Sequence, residues 1–203
     1  MKRILSMLAL AAPLLAAAPF GAATVLTYNA VLSGPAESPP NASPGTGSAT
    51  FVIDDVANTM MLSANFAGLL GNTTAAHIHC CTSVPLSGTA GVATTVPTFV
   101  GFPLGVQAGS YNALLDLLAP GTYNPAFISA NGGTPASAEA ALLYGIGLGQ
   151  AYFNLHTTEF GGGEIRRFLS PVPEPSALAM LSLGLAGIGL YRRRRAASSV
   201  RIA

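Results

Sequence analysis

Ala75-Ala76-His77-Ile78-His79-Cys80-Cys81 decides how the rest of the chain is read. Two of the three histidines and both cysteines fall within its last five positions. In an extended strand successive side chains alternate sides, so His77 and His79 share one face and Ile78 takes the other. The third histidine, His156, stands in a second strand-like run, Tyr152-Phe153-Asn154-Leu155-His156. Asn154 and Tyr152 share its face, while Phe153 and Leu155 take the opposite one. If the two strands are neighbours, three imidazoles converge.

Working outward, the same period of two recurs. Thr24–Leu32, Ser48–Ile53 and Thr59–Phe66 read as strands rich in β-branched and aromatic residues. Ala49, Phe51 and Ile53 fall on one face of the second, and Met60, Leu62, Ala64 and Phe66 on one face of the third. Three prolines between Ser33 and Pro40 forbid a ladder there. Asp54-Asp55 reads as a turn and lacks the further carboxylates of a calcium loop. Short strands are expected at Gly91–Val96 and Thr98–Val100, and longer ones at Ser110–Leu118, Gln150–Thr157 and Glu164–Leu169, the last two joined through Gly161-Gly162-Gly163. One helix is expected at Pro135–Ile146, with Thr134 as N-cap, Pro135 in the first turn and Leu142, Leu143 and Ile146 as its apolar stripe. Many short strands and a lone helix predict an all-β fold, an antiparallel immunoglobulin-like or superoxide-dismutase-like β-sandwich.

The two ends read as addresses. Lys2-Arg3 precedes an apolar run from Ile4 to Ala18, and small residues lead to a cut after Ala23. This is the pattern of a signal helix removed by signal peptidase. At the other end Val172-Pro173-Glu174-Pro175-Ser176 precedes an uncharged stretch from Ala177 to Tyr191 and the cluster Arg192-Arg193-Arg194-Arg195. Fifteen helical residues reach about 22 Å, short of a hydrocarbon core of about 30 Å, and snorkelling arginines could cover the difference. The expected division is therefore a signal peptide at 1–23, one domain at 24–171, and a tail at 172–203 comprising a motif (172–176), a transmembrane helix (177–191) and a basic end (192–203).

That tail resembles the PEP-CTERM sorting signal of Gram-negative bacteria, whose hallmark is matched by Pro173, Glu174 and Pro175. The resemblance implies an inner-membrane-anchored intermediate, an exosortase as partner, and release to the cell surface or extracellular polymer.

Trimming the ends changes the charge. Between Thr24 and Pro171 only Arg166 and Arg167 remain against Glu37, Asp54, Asp55, Asp116, Glu139, Glu159 and Glu164; two minus seven leaves −5. Such a domain carries no footprint for nucleic acid.

Several separated pieces resemble one further family. Leu32-Ser33-Gly34-Pro35-Ala36-Glu37-Ser38-Pro39-Pro40 is similar to the opening of the CHRD domain. Thr74-Ala75-Ala76-His77-Ile78-His79 resembles its central strand. Gln150–Thr157 and Gly162-Gly163-Glu164-Ile165-Arg166 resemble its closing segments. The family implies a secreted β-sandwich and no established enzymatic activity. Where it usually places Gly-Pro after the second histidine, this chain has Cys80-Cys81.

Two functional readings follow. In one, the domain is a non-catalytic module for adhesion or matrix organisation, with extracellular polysaccharide as a candidate partner and no cofactor. The histidines then bond to backbone, Asn154 or Glu164 and organise the fold. In the other, His77, His79 and His156 hold Cu or Zn, with Cys80 and Cys81 as candidate soft ligands. The exported setting favours oxidation of Cys80 and Cys81, but a bridge between adjacent residues requires a distorted peptide, and two free or intermolecularly bridged thiols are an equal expectation. Glu164 and Arg166, two apart on a strand, are expected to form a surface ion pair or a polar edge. There is no Gly-x-Ser-x-Gly elbow, P-loop or dinucleotide fingerprint, and no enzyme is predicted.

Overall fold

The computed structural model describes residues 25–173 and 181–191. The expected signal helix at 1–23, Glu174, Pro175 and the arginines at 192–195 lie outside the described residues. Eight strands run in chain order: β1 Val25–Ser33, β2 Thr46–Asp54, β3 Thr59–Ala67, β4 Thr73–His79, β5 Gly109–Asp116, β6 Tyr152–Thr157, β7 Ile165–Phe168 and β8 Ser170–Pro171. They form one antiparallel sheet in the order β4-β6-β7-β1-β2-β3-β5, with β8 also on β1. The fold is all-β, as expected.

The sandwich is a single sheet curled over its own apolar face. Phe51 on β2 meets Phe153 on β6 edge-on at 5.7 Å, although two strands separate them in the sheet. The alternation read from the sequence sets which residues enter. Ala49, Phe51, Ile53, Met60, Leu62, Ala64 and Phe66 are buried on one half, and Ala76, Ile78, Phe153 and Leu155 on the other. Burying these apolar faces together is the main gain that offsets chain ordering. The Asp54 turn is also as expected: its Oδ1 accepts from the Val56 and Ala57 amides.

The connections depart from expectation in two places. Residues 91–100 form no ladder. Isolated bridges join Val92 to His79 and Thr94 to Tyr123. Ile78 O accepts from both Ala93 and Thr94 amides, while the Thr95 amide donates to Thr122 O, so this segment's donors are divided between β4 and a loop. Within residues 25–173 there are also two helices where one was expected, α1 Pro125–Ala130 and α2 Pro135–Gly147. Asn124 caps α1 by accepting from the Ala126 amide, and Pro125 starts it. In α2 the Ser137 amide donates to Thr134 Oγ1 and the Thr134 amide to Ser137 Oγ, a reciprocal cap. Leu142 and Ile146 are buried, and Leu143 packs at the core margin.

Residues 181–191 are helical. Among the described residues no helix is long and apolar enough to cross a membrane.

Candidate metal centre

β4 and β6 are neighbours, and their register sets the geometry. Ala75 lies opposite His156, His77 opposite Asn154, and His79 opposite Tyr152. All six side chains therefore share one face, the reverse of the face that carries Ile78 and Phe153 into the core. One ring nitrogen from each of His77, His79 and His156 lies within 4.8 Å of the others. The ring centroids are 5.2–5.7 Å apart.

Each imidazole is held from behind by a backbone carbonyl. His77 Nε2 is 2.6 Å from Pro97 O, His79 Nδ1 is 2.9 Å from Ala90 O, and His156 Nδ1 is 3.0 Å from Gly161 O. A carbonyl only accepts, so in each case the facing ring nitrogen carries the hydrogen. The other nitrogen is then a bare acceptor: Nδ1 of His77, Nε2 of His79 and Nε2 of His156. His77 Nδ1 is buried with no hydrogen-bond partner among the described residues. His79 Nε2 and His156 Nε2 face each other at 3.3 Å. Two lone pairs at that distance need a cation or a shared proton between them.

The electrostatics agree. Burial pushes the His77 imidazole down to about 4, against a smaller opposing effect of its bond to Pro97. Burial likewise brings His79 down to about 4, and lowers His156. All three are neutral near pH 7, the form that ligates metals. His77 and His79 are buried and His156 is half-buried.

Tyr152 supports the cluster. Its ring stacks on His79 at 4.8 Å with an interplanar angle of 4°. Its hydroxyl accepts from the Ala90 amide, on the residue whose carbonyl holds His79. The guanidinium of Arg166 also lies over that ring, 4.6 Å from its centroid. Alternation placed Tyr152 on the His156 face. The carbonyls of Ala90 and Pro97 belong to loops that no local pattern ties to β4.

Cys80 and Cys81 are bonded to each other. Cys80 follows His79 onto the core face and belongs to the apolar core, with both sulfurs against Gly145 of α2. The structure does not bring them to the three ring nitrogens.

Glu164 and Arg166 are not a surface pair. Both are buried, and they serve different partners. Glu164 accepts from the hydroxyls of Ser43 (2.6 Å) and Thr157 (2.7 Å) and from the amides of Leu70 (2.6 Å) and Gly71 (3.1 Å). Burial alone would push this carboxyl up, but the donors outweigh it and hold it below the usual range. Arg166 Nε donates to Ala36 O at 2.7 Å and lies 3.6 Å from Glu37 Oε2. None of the three histidines bonds to Glu164 or Asn154. Their backbone partners are those given above.

The PEP-CTERM protein-sorting motif matches residues 171–195. The chain is thus exported, held in a membrane-anchored sorting intermediate, processed by an exosortase and delivered to the cell surface of a Gram-negative bacterium. No curated protein and no solved structure matches the chain. The model of the CHRD domain matches residues 28–169, most of the chain, and the protein belongs to the CHRD domain family.

Proposed function

We propose that this exported CHRD domain is a metal-binding module, with His77 Nδ1, His79 Nε2 and His156 Nε2 as ligands for Zn or Cu. One observation carries the reading: each ring donates to a carbonyl through one nitrogen and keeps the other bare, in a cluster where a nitrogen from each ring lies within 4.8 Å of the others. Ring orientation fixed by such outer hydrogen bonds is how proteins prepare histidine ligands. The 3.3 Å separation of His79 and His156 also fits. Tetrahedral sites with metal–nitrogen bonds of about 2.0–2.1 Å place ligands about 3.3 Å apart. Three imidazoles leave a fourth position for water or a partner's group. Neutral nitrogen donors suit Zn or Cu over Mg or Ca.

Elemental analysis of the protein purified from the periplasm without chelators tests this. About one equivalent of Zn or Cu, lost in His79→Ala, is expected. Protein that is metal-free and takes up neither added Zn nor added Cu would overturn the reading. A second reading, a non-catalytic role in adhesion or matrix organisation, draws its support from the surface destination and is compatible with a bound metal.

A further inference from the structure

The two cations between Thr24 and Pro171, Arg166 and Arg167, line one cleft of about 440 Å³. It lies beside the histidine cluster, since Arg166 and His79 both pack on the Tyr152 ring. In a domain so poor in charge, this placement wants a reason. The cleft's polar wall is Glu37 and Arg166, each with only 5% of its side chain exposed. The pair is loosely made. Arg166 spends its Nε hydrogen on Ala36 O, and Glu37 Oε2 sits 3.6 Å from that nitrogen. Glu37 Oε1 is buried with no partner. A buried carboxylate oxygen without a donor costs free energy that a ligand's hydroxyl could recover after a small movement. The remaining wall mixes Ser38 and Ser87 with the apolar Pro40, Leu86 and Phe168.

From this juxtaposition we infer that the cleft is a saccharide-binding site, taking a pyranose unit of an extracellular polysaccharide. Adjacent sugar hydroxyls both donate and accept. One donates to the Glu37 carboxylate and its neighbour accepts from the Arg166 guanidinium, whose fork has donors to spare. The apolar residues suit the C–H face of the ring. The volume lies within the ordinary range for small-molecule sites, about 300–1,000 Å³. The inference is independent of the metal reading, because no imidazole lines the cleft.

The test is calorimetric titration of the mature exported protein with three probes: cellotetraose, mannotetraose and tetragalacturonate. Binding of at least one is expected, weakened at least tenfold in Glu37→Gln. Ser87→Trp keeps the experiment decisive if the buried pair proves necessary for folding. Ser87 lines the cleft, is exposed, and its side chain makes no hydrogen bond among the described residues, so an indole there would obstruct the cleft while leaving the Glu37 and Arg166 side chains unmutated. That variant should fold as the parent does and lose binding. Preference among the probes tells a neutral polymer from an acidic one. Failure of all three probes to bind, or binding unchanged in folded Ser87→Trp, overturns the inference.

Discussion

His79 Nε2 and His156 Nε2 face each other at 3.3 Å across neighbouring strands, each ring anchored from behind by a carbonyl. This contact is unfavourable between two neutral acceptors and favourable around a cation. Adding Zn should therefore stabilise the metal-free protein. At a hundredfold excess over Kd, linkage gives about 2.7 kcal/mol. For a domain of this size that raises Tm by about 5–10 °C. Calorimetry with and without Zn, reversed by EDTA, checks it. His156→Ala, at the half-buried position, should abolish the rise while leaving the fold intact.

Acidification should weaken the metal-free domain through the same rings. The His77 and His79 imidazoles are near 4 in the folded protein and ordinarily near 6.5. Between these values the unfolded chain binds more protons, so stability is fully present above pH 6.5 and is lost as pH falls toward 4. The upper bound is on the order of 3 kcal/mol per histidine. Glu37 acts in the opposite sense: burial raises its carboxyl to about 7, despite the opposing pull of Arg166, so its contribution is lost as pH rises. Glu37→Gln removes that compensation. Urea midpoints from pH 7 to pH 4.5 should fall more steeply in Glu37→Gln than in the parent.

Glu164 ties four segments together, and its removal should be severe. Its carboxylate takes hydrogen bonds from Ser43 ahead of β2, from the Leu70–Gly71 loop and from Thr157 at the end of β6. Glutamine keeps the shape but offers one acceptor oxygen in place of two and adds a donor group among donors. We expect Glu164→Gln to cost about 2–4 kcal/mol. Glu159→Gln, on an exposed residue nearby, should change the urea midpoint little.

These partners show where sequence reading stops. Period two put His77, His79, His156 and Tyr152 on shared faces, because the side-chain direction of a strand is local geometry. Thr134-Pro135 marked the start of α2 for the same reason. The opposition of Ala75 to His156 is a property of two strands eighty residues apart, which alternation alone does not determine. Glu164 and Arg166 read as a surface pair because their partners, Ser43, Leu70, Ala36 and Glu37, are remote in sequence. The short helix α1 buries only Phe127, too little for a periodic signal.

The sorting tail makes a prediction at the cell level. Replacing Pro173-Glu174-Pro175 by alanines removes the motif but leaves the uncharged stretch and the arginines at 192–195. The variant should stay in the membrane fraction with its basic C-terminus intact, whereas the parent's surface form should lack it. Mass spectrometry of the C-terminal peptide in each fraction reads both outcomes.

Gly145 offers a test of the Cys80–Cys81 pair. It sits inside α2, where alanine would ordinarily be favoured by about 1 kcal/mol. Here a Cβ would run into Sγ of both cysteines. The joined sulfurs cannot swing aside as free side chains could, so the helix must shift. Overpacking of this kind costs about 1–3 kcal/mol. Gly145→Ala should therefore lower stability, despite its better helix propensity. In a Cys80→Ala, Cys81→Ala background both obstructing atoms are gone, and the same substitution should become neutral or stabilising. A double-mutant cycle followed by urea unfolding measures this reversal of sign. If Gly145→Ala costs the same in both backgrounds, the glycine is required by something other than the paired sulfurs.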